Sequence, residues 1–365
     1  MENDPHFYAV IMAGGGGTRL WPLSRKVSPK QMLNLFEGGT LFQIAIDRLQ
    51  GLFDFDHIFI VTVAEQVEKL RELSPQIPIK NFLIEPMPRG TAAVVGMAAG
   101  SIKKKDPEAI MCILTADHFI QNINSFQNLL LAAREAAKTG VLVTLGIHPT
   151  FPATGYGYIE SGELVGQFQG QEVFKVNAFI EKPSELRAVE FLKKEIFNWN
   201  SGMFIWHVDA ILNEIKQYMS TLFGVIEELS PLLGVDHSAK VFIEKWDSIN
   251  PQTIDYGIME KSGRVVVLPA SDLGWNDVGS WDSLFDVIPP DLNGNIVLNA
   301  QHIGMETRDS LILSTSKERL VVTLGLQNMI IIDTADALMV CSRGETQKVK
   351  ELVQFLKDNQ YTHFL

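Results

Sequence analysis

Cysteine is nearly absent from the chain, which has 2 in 365 residues. Cys112 and Cys341 lie in apolar, strand-like runs with no Cys-x-x-Cys pattern and no histidine at metal spacing. That excludes a disulfide scaffold or zinc ribbon and reads both thiols as small core groups in a reduced, cytoplasmic setting. Long hydrophobic runs are missing too. The N-terminal stretch MENDPHFYAVIMAGG has no basic start, and its apolar run is too short for a signal peptide or a membrane span, so a soluble, retained protein is expected. Positive charge is scarce: a net charge of −12 argues against a general nucleic-acid or membrane-surface binder, because a polyanion is repelled at long range.

Two phosphate signatures are also lacking. A P-loop ends in Gly-Lys-Ser/Thr, whereas here the glycines Gly14–Gly17 run into Thr18-Arg19. A dinucleotide fingerprint needs a third glycine where this chain has Arg19 or Leu20, depending on the register. What remains is AGGGGTRLWPLSRKVSPKQ at 13–31, a four-glycine turn after the apolar run Tyr8–Met12, carrying Arg19, Arg25, Lys26 and Lys30 and no acid. Glycine removes the Cβ that keeps a ligand off the backbone, so successive N–H groups face phosphate oxygens while the cations neutralise the charge. The segment therefore reads as a polyphosphate site.

At about 150 residues per domain the length suggests two units, and 46% apolar residues supply both cores. Short β-branched runs recur at Tyr8–Met12, His57–Val63, Ile79–Ile84, Ala109–Leu114 and Val141–Ile147. Helical periodicity fills the gaps at Leu41–Leu52, Glu65–Leu73, Thr91–Ile102 and Phe126–Lys138. This alternation predicts an α/β fold with a parallel sheet, and a site beyond the carboxyl ends of its strands. From Tyr156 the pattern turns to hairpin-like segments, a helix at Leu186–Lys194 and an aromatic block Trp199–Trp206, so mixed strands extend the sheet. After Pro289-Pro290, short runs from Ile296 to Cys341 and a final helix at Gln347–Lys357 predict a small β-helix-like tail. No hexapeptide period holds through it. The expected domains are 1–288 and 289–365.

Asp117, in Thr115-Ala116-Asp117-His118, follows a predicted central strand and is either a ligand residue or a helix cap. Asp277 lies far along the chain in GWNDVGSW, a segment with neither helical nor strand period. Two carboxylates from distant loops suit Mg²⁺, which takes one or two protein oxygens and leaves its other positions for phosphates and water. Glu181-Lys182-Pro183 ends an apolar run, and the proline is expected to keep Lys182 extended. Lys182 is suited to a sugar phosphate and Glu181 to hydroxyls. Asn200, in WNSGMF, offers an amide donor and acceptor beside aromatic surface. In TGYGYIE, Gly155, Tyr156 and Gly157 allow close approach and Glu160 accepts from a hydroxyl.

These blocks in this order, together with IEPMPRGTAA at 84–93 and TIDYGIMEK at 253–261, resemble the nucleotide-sugar pyrophosphorylases, most closely the members that make GDP-mannose. The resemblance spans nearly the whole chain. It implies a Rossmann-like nucleotidyltransferase domain of mostly parallel mixed sheet with a β-helix-like tail, acting on GTP and mannose 1-phosphate with Mg²⁺. By resemblance, Ala13, Gly14, Gly15, Gly17, Thr18 and Arg19, together with Lys30, hold the triphosphate, and Glu85, Arg89, Gly90 and Thr91 surround the base. Arg19, Lys30 and Lys182 carry catalysis, Asp117 and Asp277 hold the metal, and Gly155, Tyr156, Gly157, Glu160, Glu181, Lys182 and Asn200 hold the sugar phosphate. Gly90 departs from the asparagine often found there. A homodimer is expected on the resemblance alone. Two other readings stay open: a pyrophosphorylase for another pair, such as UTP or dTTP with glucose 1-phosphate, and a silent regulatory subunit that binds nucleotide sugar.

Overall fold

The computed structural model describes residues 4–15, 17–36, 38–316 and 318–365. Its first strands are β1 (Phe7–Met12), β2 (Ile58–Val63), β3 (Phe82–Glu85), β4 (Ile110–Thr115), β5 (Phe119–Ile120) and β6 (Leu142–Ile147). They are followed by β7 (Tyr158–Phe168), β8 (Gln171–Ile180), β9 (Phe197–His207), β10 (Val265–Ala270) and β11 (Trp275–Asn276). The last six are β12 (Ile296–Leu298), β13 (Gln301–Met305), β14 (Leu311–Ser314), β15 (Leu320–Leu324), β16 (Met329–Asp333) and β17 (Leu338–Ser342). Helices α1 (Leu41–Asp47), α2 (Ala64–Leu73), α3 (Thr91–Lys105) and α4 (Ile123–Ala137) precede α5 (Glu185–Leu192), α6 (Val208–Tyr218), α7 (Ser220–Leu229), α8 (Lys240–Asp247) and α9 (Val349–Asp358).

The chain divides into two compact units, each assembled from separate stretches: Met1–Gly14, Ile46–Thr115 and Gln121–Leu273 in the first, Gly15–Ala45, Ala116–Ile120 and Gly274–Leu365 in the second. The first unit is a nine-stranded sheet in the order β3-β2-β1-β4-β9-β6-β10-β8-β7. The N-terminal strands pair in parallel, as the alternation of elements predicts. The aromatic block is β9, which enters antiparallel between β4 and β6, so the sheet is mixed. Such long-range pairing leaves no mark on local periodicity. Strand β3 also begins later than its apolar run: Ile79–Asn81 forms a 3₁₀ turn after Pro78, and the Asn81 amide donates to the carbonyls of Asp56 and Ile58.

Helix α3 packs into the core through Ala92, Ala93, Val95, Ala98 and Ala99, all buried, small side chains that allow a close approach. Chain order reverses beside β1, which lies between β2 and β4, and this switch point is where an open α/β sheet places a ligand. Met12 pairs with Thr115 at the carboxyl ends of β1 and β4, so the chain leaves the first unit at neighbouring points, after Gly14 and after Thr115.

In the second unit β12, β14 and β16 stack in parallel, as do β13 and β15, building coils of a β-helix. Ile296 pairs with Leu311 and Leu311 with Ile330, coils of unequal length, which explains why no repeat period shows in the sequence. Ile296, Leu311, Leu313, Ile330 and Ile332 point into its core together with Leu20, Trp21 and Trp281. Trp281 Nε1 donates to the carbonyl of Trp21 at 3.0 Å. The Leu20-Trp21 pair of the glycine-rich segment is thus a core anchor, burying aromatic area large enough to dominate local packing.

Candidate active site

In the second unit the glycine segment, Asp117 and Asp277 converge on one side chain. Lys30 is 7% exposed. Its Nζ donates to Asp117 Oδ2 at 2.8 Å, 87 positions away in the chain, and to the carbonyl of Asp277, 247 positions away. Gly17 makes room for it: φ is +52°, and a Cβ there would overlap Lys30 Cβ. Ser24 Oγ fixes the same turn by donating to the Gly17 carbonyl at 2.6 Å. The aspartates are aligned by a short antiparallel ladder in which Phe119 pairs with Asn276 and Ile120 with Trp275. Continued by one step, that register sets Asp277 opposite His118, next to Asp117. Asp277 Oδ1 accepts from Gly279 N at 3.0 Å, and Trp275 Nε1 donates to His118 Nδ1 at 3.1 Å.

Burial by itself would raise the Asp117 carboxyl, but the Lys30 and His118 charges and the Lys30 hydrogen bond outweigh it and hold the group below the usual carboxylate range. Gly14 and Gly15 are exposed and a Cβ on either would meet open space, so their backbone is accessible to a ligand; Gly16 lies outside the described residues. Thr18 and Arg19 open a 3₁₀ turn and are exposed. Arg25, grouped with the phosphate cations by its position in the sequence, instead forms an ion pair with Asp336 at 2.8 Å and donates to the Phe364 carbonyl. It is a strut within the second unit.

The first unit holds the other candidate groups. Ala13 continues β1, with its N–H donated to Val61 and its carbonyl accepting from Thr62. Glu85, at the end of β3 and 5% exposed, accepts from Arg89 N at 3.0 Å. Burial pushes its carboxyl up to about 7, against the lowering effect of Arg89. Arg89 forms an ion pair with Asp247. Gly90 has φ +83°, and a Cβ there would run into the backbone of Gln252, whose N–H donates to the Arg89 carbonyl and whose carbonyl accepts from Ala92 N. The departure from asparagine is therefore a packing requirement: the Gln252 backbone takes that space. Thr91 Oγ1 accepts from Ile254 N at 2.9 Å, so Gly90 and Thr91 lock this segment to 252–254.

Substitutions at Gly90 and Glu85 have separate, measurable consequences. Gly90→Asn combines a left-handed backbone with a clash against main chain and should lower stability by about 2 kcal/mol or more, read as a fall in the melting temperature. Glu85 binds its proton more tightly folded than unfolded, so stability falls as pH rises from about 4.5 to about 7. Glu85→Gln should remove up to about 3 kcal/mol of that fall, at 1.36 kcal/mol per pKa unit. Equal pH slopes for variant and wild-type unfolding would contradict the assignment.

A second cluster forms where β8 ends. Glu181 Oε1 accepts from Lys182 Nζ at 2.7 Å, and that hydrogen bond raises the lysine above its ordinary value. Lys182 is not extended, as the following proline suggested, but left-handed with φ +46°. Pro183 excludes the right-handed helical region rather than every turn conformation, and the strain of a non-glycine residue there marks a site whose surroundings over-determine it. Gly157 brings its backbone against this pair: a Cβ would lie 2.5 Å from Glu181 Oε2, and its carbonyl accepts from Asn200 N at 2.8 Å. Tyr156 and Phe151 pack against Trp199 with ring centroids 5.1 and 4.8 Å away, giving apolar surface beside Gly155 and Asn200. Glu160 lies along β7 opposite Ala178 and Phe197.

One member of this cluster escaped the sequence reading. Asp255, 55 positions beyond Asn200, accepts from Asn200 Nδ2 at 2.8 Å through Oδ1. The available signal was an acid inside the apolar run of TIDYGIMEK, whose neighbours Ile254, Ile258 and Met259 are buried.

The chain is similar to known proteins along nearly its whole length. Residues 8–294 match the family model of the nucleotidyl transferases, and residues 300–356 match the MannoseP isomerase/GMP-like beta-helix domain. A mannose-1-phosphate guanylyltransferase of Escherichia coli is 38% identical over 95% of this chain and 75% of its own length. A protein of the same name from Escherichia coli strain K12 is 36% identical over 98% of this chain and 75% of its own length. A solved structure from Thermus thermophilus, described as mannose-1-phosphate geranyltransferase, superposes with a TM-score of 0.86 at 30% identity, covering 96% of this chain and 99% of that one. The chain belongs to the nucleotidyl transferase family, and within it to the group of the mannose-1-phosphate guanylyltransferases.

Proposed function

We propose that the chain transfers GMP from GTP to mannose 1-phosphate. A phosphate oxygen of the sugar phosphate bonds to the α-phosphorus, the bond from that phosphorus to the bridging oxygen breaks, and its electron pair leaves with pyrophosphate. The product is GDP-mannose. With a second pKa of about 6 the attacking phosphate is already largely ionised at neutral pH, so no general base is needed. Catalysis is then a matter of charge neutralisation and in-line positioning.

The observation that carries this reading is the meeting of the glycine segment, Asp117 and Asp277 at Lys30. The glycine backbone with Thr18 and Arg19 holds the triphosphate and stabilises the pyrophosphate as it leaves; Lys30 neutralises and aligns the aspartates. Lys182 neutralises the attacking phosphate, and Glu181 and Asn200 orient the sugar. Glu85 and Arg89 bound the base site, with Gly90 and Thr91 holding that segment in shape. The donor set of Asp117 and Asp277 fits Mg²⁺: both are hard oxygen ligands, and their segments already accept a cation in Lys30. Bound there, Mg²⁺ would supply charge neutralisation at the phosphates.

The reading also takes residues 1–288 as the catalytic domain and 289–365 as the tail, the cytoplasm as the compartment, and a homodimer as the assembly, the last by resemblance alone. Among the described residues no helix is long and apolar enough to cross a membrane. The test is a matrix of four nucleoside triphosphates against mannose, glucose and galactose 1-phosphates, with and without Mg²⁺, read as pyrophosphate release. GTP with mannose 1-phosphate should be fastest. Faster release with UTP or dTTP and glucose 1-phosphate would overturn the substrate assignment, and no release from any pair would favour a silent binding subunit.

A further inference from the structure

Asp255 has no part in the mechanism so far, yet it stands among the groups that face the sugar phosphate. It opens a five-residue π-helical turn, Asp255–Met259, a rare backbone form that recurs at functional sites. Ile254 N, immediately before it, is fixed by Thr91 Oγ1. Its Oδ1 takes the Asn200 amide hydrogen at 2.8 Å, while the Asn200 Oδ1 accepts from Gly202 N at 3.0 Å. Each end of that amide is therefore engaged once within the protein, which fixes its orientation and leaves one N–H and one lone pair for a ligand.

A carboxylate has two oxygens and roughly four acceptor positions, of which Asn200 fills one on Asp255 and its own backbone N–H another, leaving about two for a ligand. Burial and the neighbouring Glu181 charge raise the Asp255 carboxyl, against the lowering effects of Asn200 and Lys182. Glu260 is raised as well, by burial and by Glu181. The Asp255 and Glu181 carboxylates thus share one neighbourhood with Lys182, and Glu181 also acts on Glu260 beside Lys261; acids set so close are a costly arrangement if they served the fold alone. Hydroxyl donors relieve that cost, because each places a proton between oxygens that otherwise repel.

We propose that Asp255 is a sugar-binding carboxylate which, together with Glu181, accepts hydrogen bonds from neighbouring hydroxyls of the hexose ring. The proposal rests on the function given above and deepens it, by making Asp255 the group that tests for a hydroxyl at one ring position. Asn200 is then a positioning residue that fixes the carboxylate plane. Lys182, tied to Glu181 at 2.7 Å, sets the phosphate end of the same ligand.

The experiment compares kcat/KM of wild type and Asp255→Asn for mannose 1-phosphate and its 2-, 3-, 4- and 6-deoxy analogues, with the KM for GTP and the melting temperature measured alongside. A hydrogen bond to a charged acceptor is worth about 1.5–3 kcal/mol, so wild type should lose about 10- to 100-fold on one deoxy compound. Asp255→Asn should lose a similar factor on mannose 1-phosphate, nothing further on that same deoxy compound, and leave the KM for GTP within about twofold. Equal losses on the parent and every deoxy analogue, or an equal rise in the KM for GTP, overturn the proposal. If Asp255→Asn melts far below wild type, Asp255→Ser takes its place in the comparison, and failure of both to fold marks the residue as structural and overturns it too. Should wild type prefer another hexose 1-phosphate, the substrate reading fails, and the deoxy series of that hexose tests Asp255 on its own. A chain that turns over no hexose 1-phosphate defeats both.

Discussion

Asp277→Asn should slow pyrophosphate release by about 10²–10³-fold or more while the protein stays folded, the loss typical of removing one group that stabilises developing charge. The fold survives because asparagine keeps an oxygen for the turn to Gly279 N, and the backbone carbonyl of Asp277 still accepts from Lys30. Only the charge is lost. The ladder of Trp275 and Asn276 with Ile120 and Phe119 is main-chain and indifferent to the change. Melting temperature should therefore stay within a few degrees of wild type, while the Mg²⁺ concentration needed for half-maximal rate rises. A variant with an unimpaired rate across a Mg²⁺ titration would remove Asp277 from the metal site.

The sequence exposes some of this site and hides the rest for identifiable reasons. Asp117 and Asp277 are readable because each interrupts a regular pattern, one at the carboxyl end of a strand and one in a glycine-flanked segment. Lys30 is readable as a cation but not as a buried one, since its partners lie 87 and 247 positions away. Arg25 carries the same charge in the same stretch and serves packing instead, held by Asp336 and the Phe364 carbonyl. Charge patterning cannot separate the two. Gly90 looks like a departure until the Gln252 backbone is seen to fill the space a side chain would need. Asp255 hides within an apolar run whose helical period makes an acid look like a solvated face. The parallel strands are legible from alternation, whereas the entry of β9 between β4 and β6 is a tertiary choice with no local signature.

Lys30→Met tests the other half of the metal neighbourhood, and its expected effect is on stability and rate together. Methionine retains the apolar stem that lies against Gly17 and removes the ammonium that serves Asp117 Oδ2 and the Asp277 carbonyl. Breaking a buried pair from one side costs about 3–5 kcal/mol, because the remaining charge is left uncompensated. Asp117 is partly open to solvent, which screens part of that cost, so about 2–3 kcal/mol is expected. At about 2–4 °C per kcal/mol, the melting temperature should fall by roughly 4–12 °C. Turnover should fall by about 10²–10³-fold, since the cation that aligns both aspartates is gone. The sharper test is the response to metal. A divalent cation neutralises Asp117 in place of the ammonium, so Mg²⁺ should raise the melting temperature of Lys30→Met more than that of wild type. An equal or smaller shift in the variant would show that Asp117 and Asp277 do not share a cation site, whatever happens to the rate.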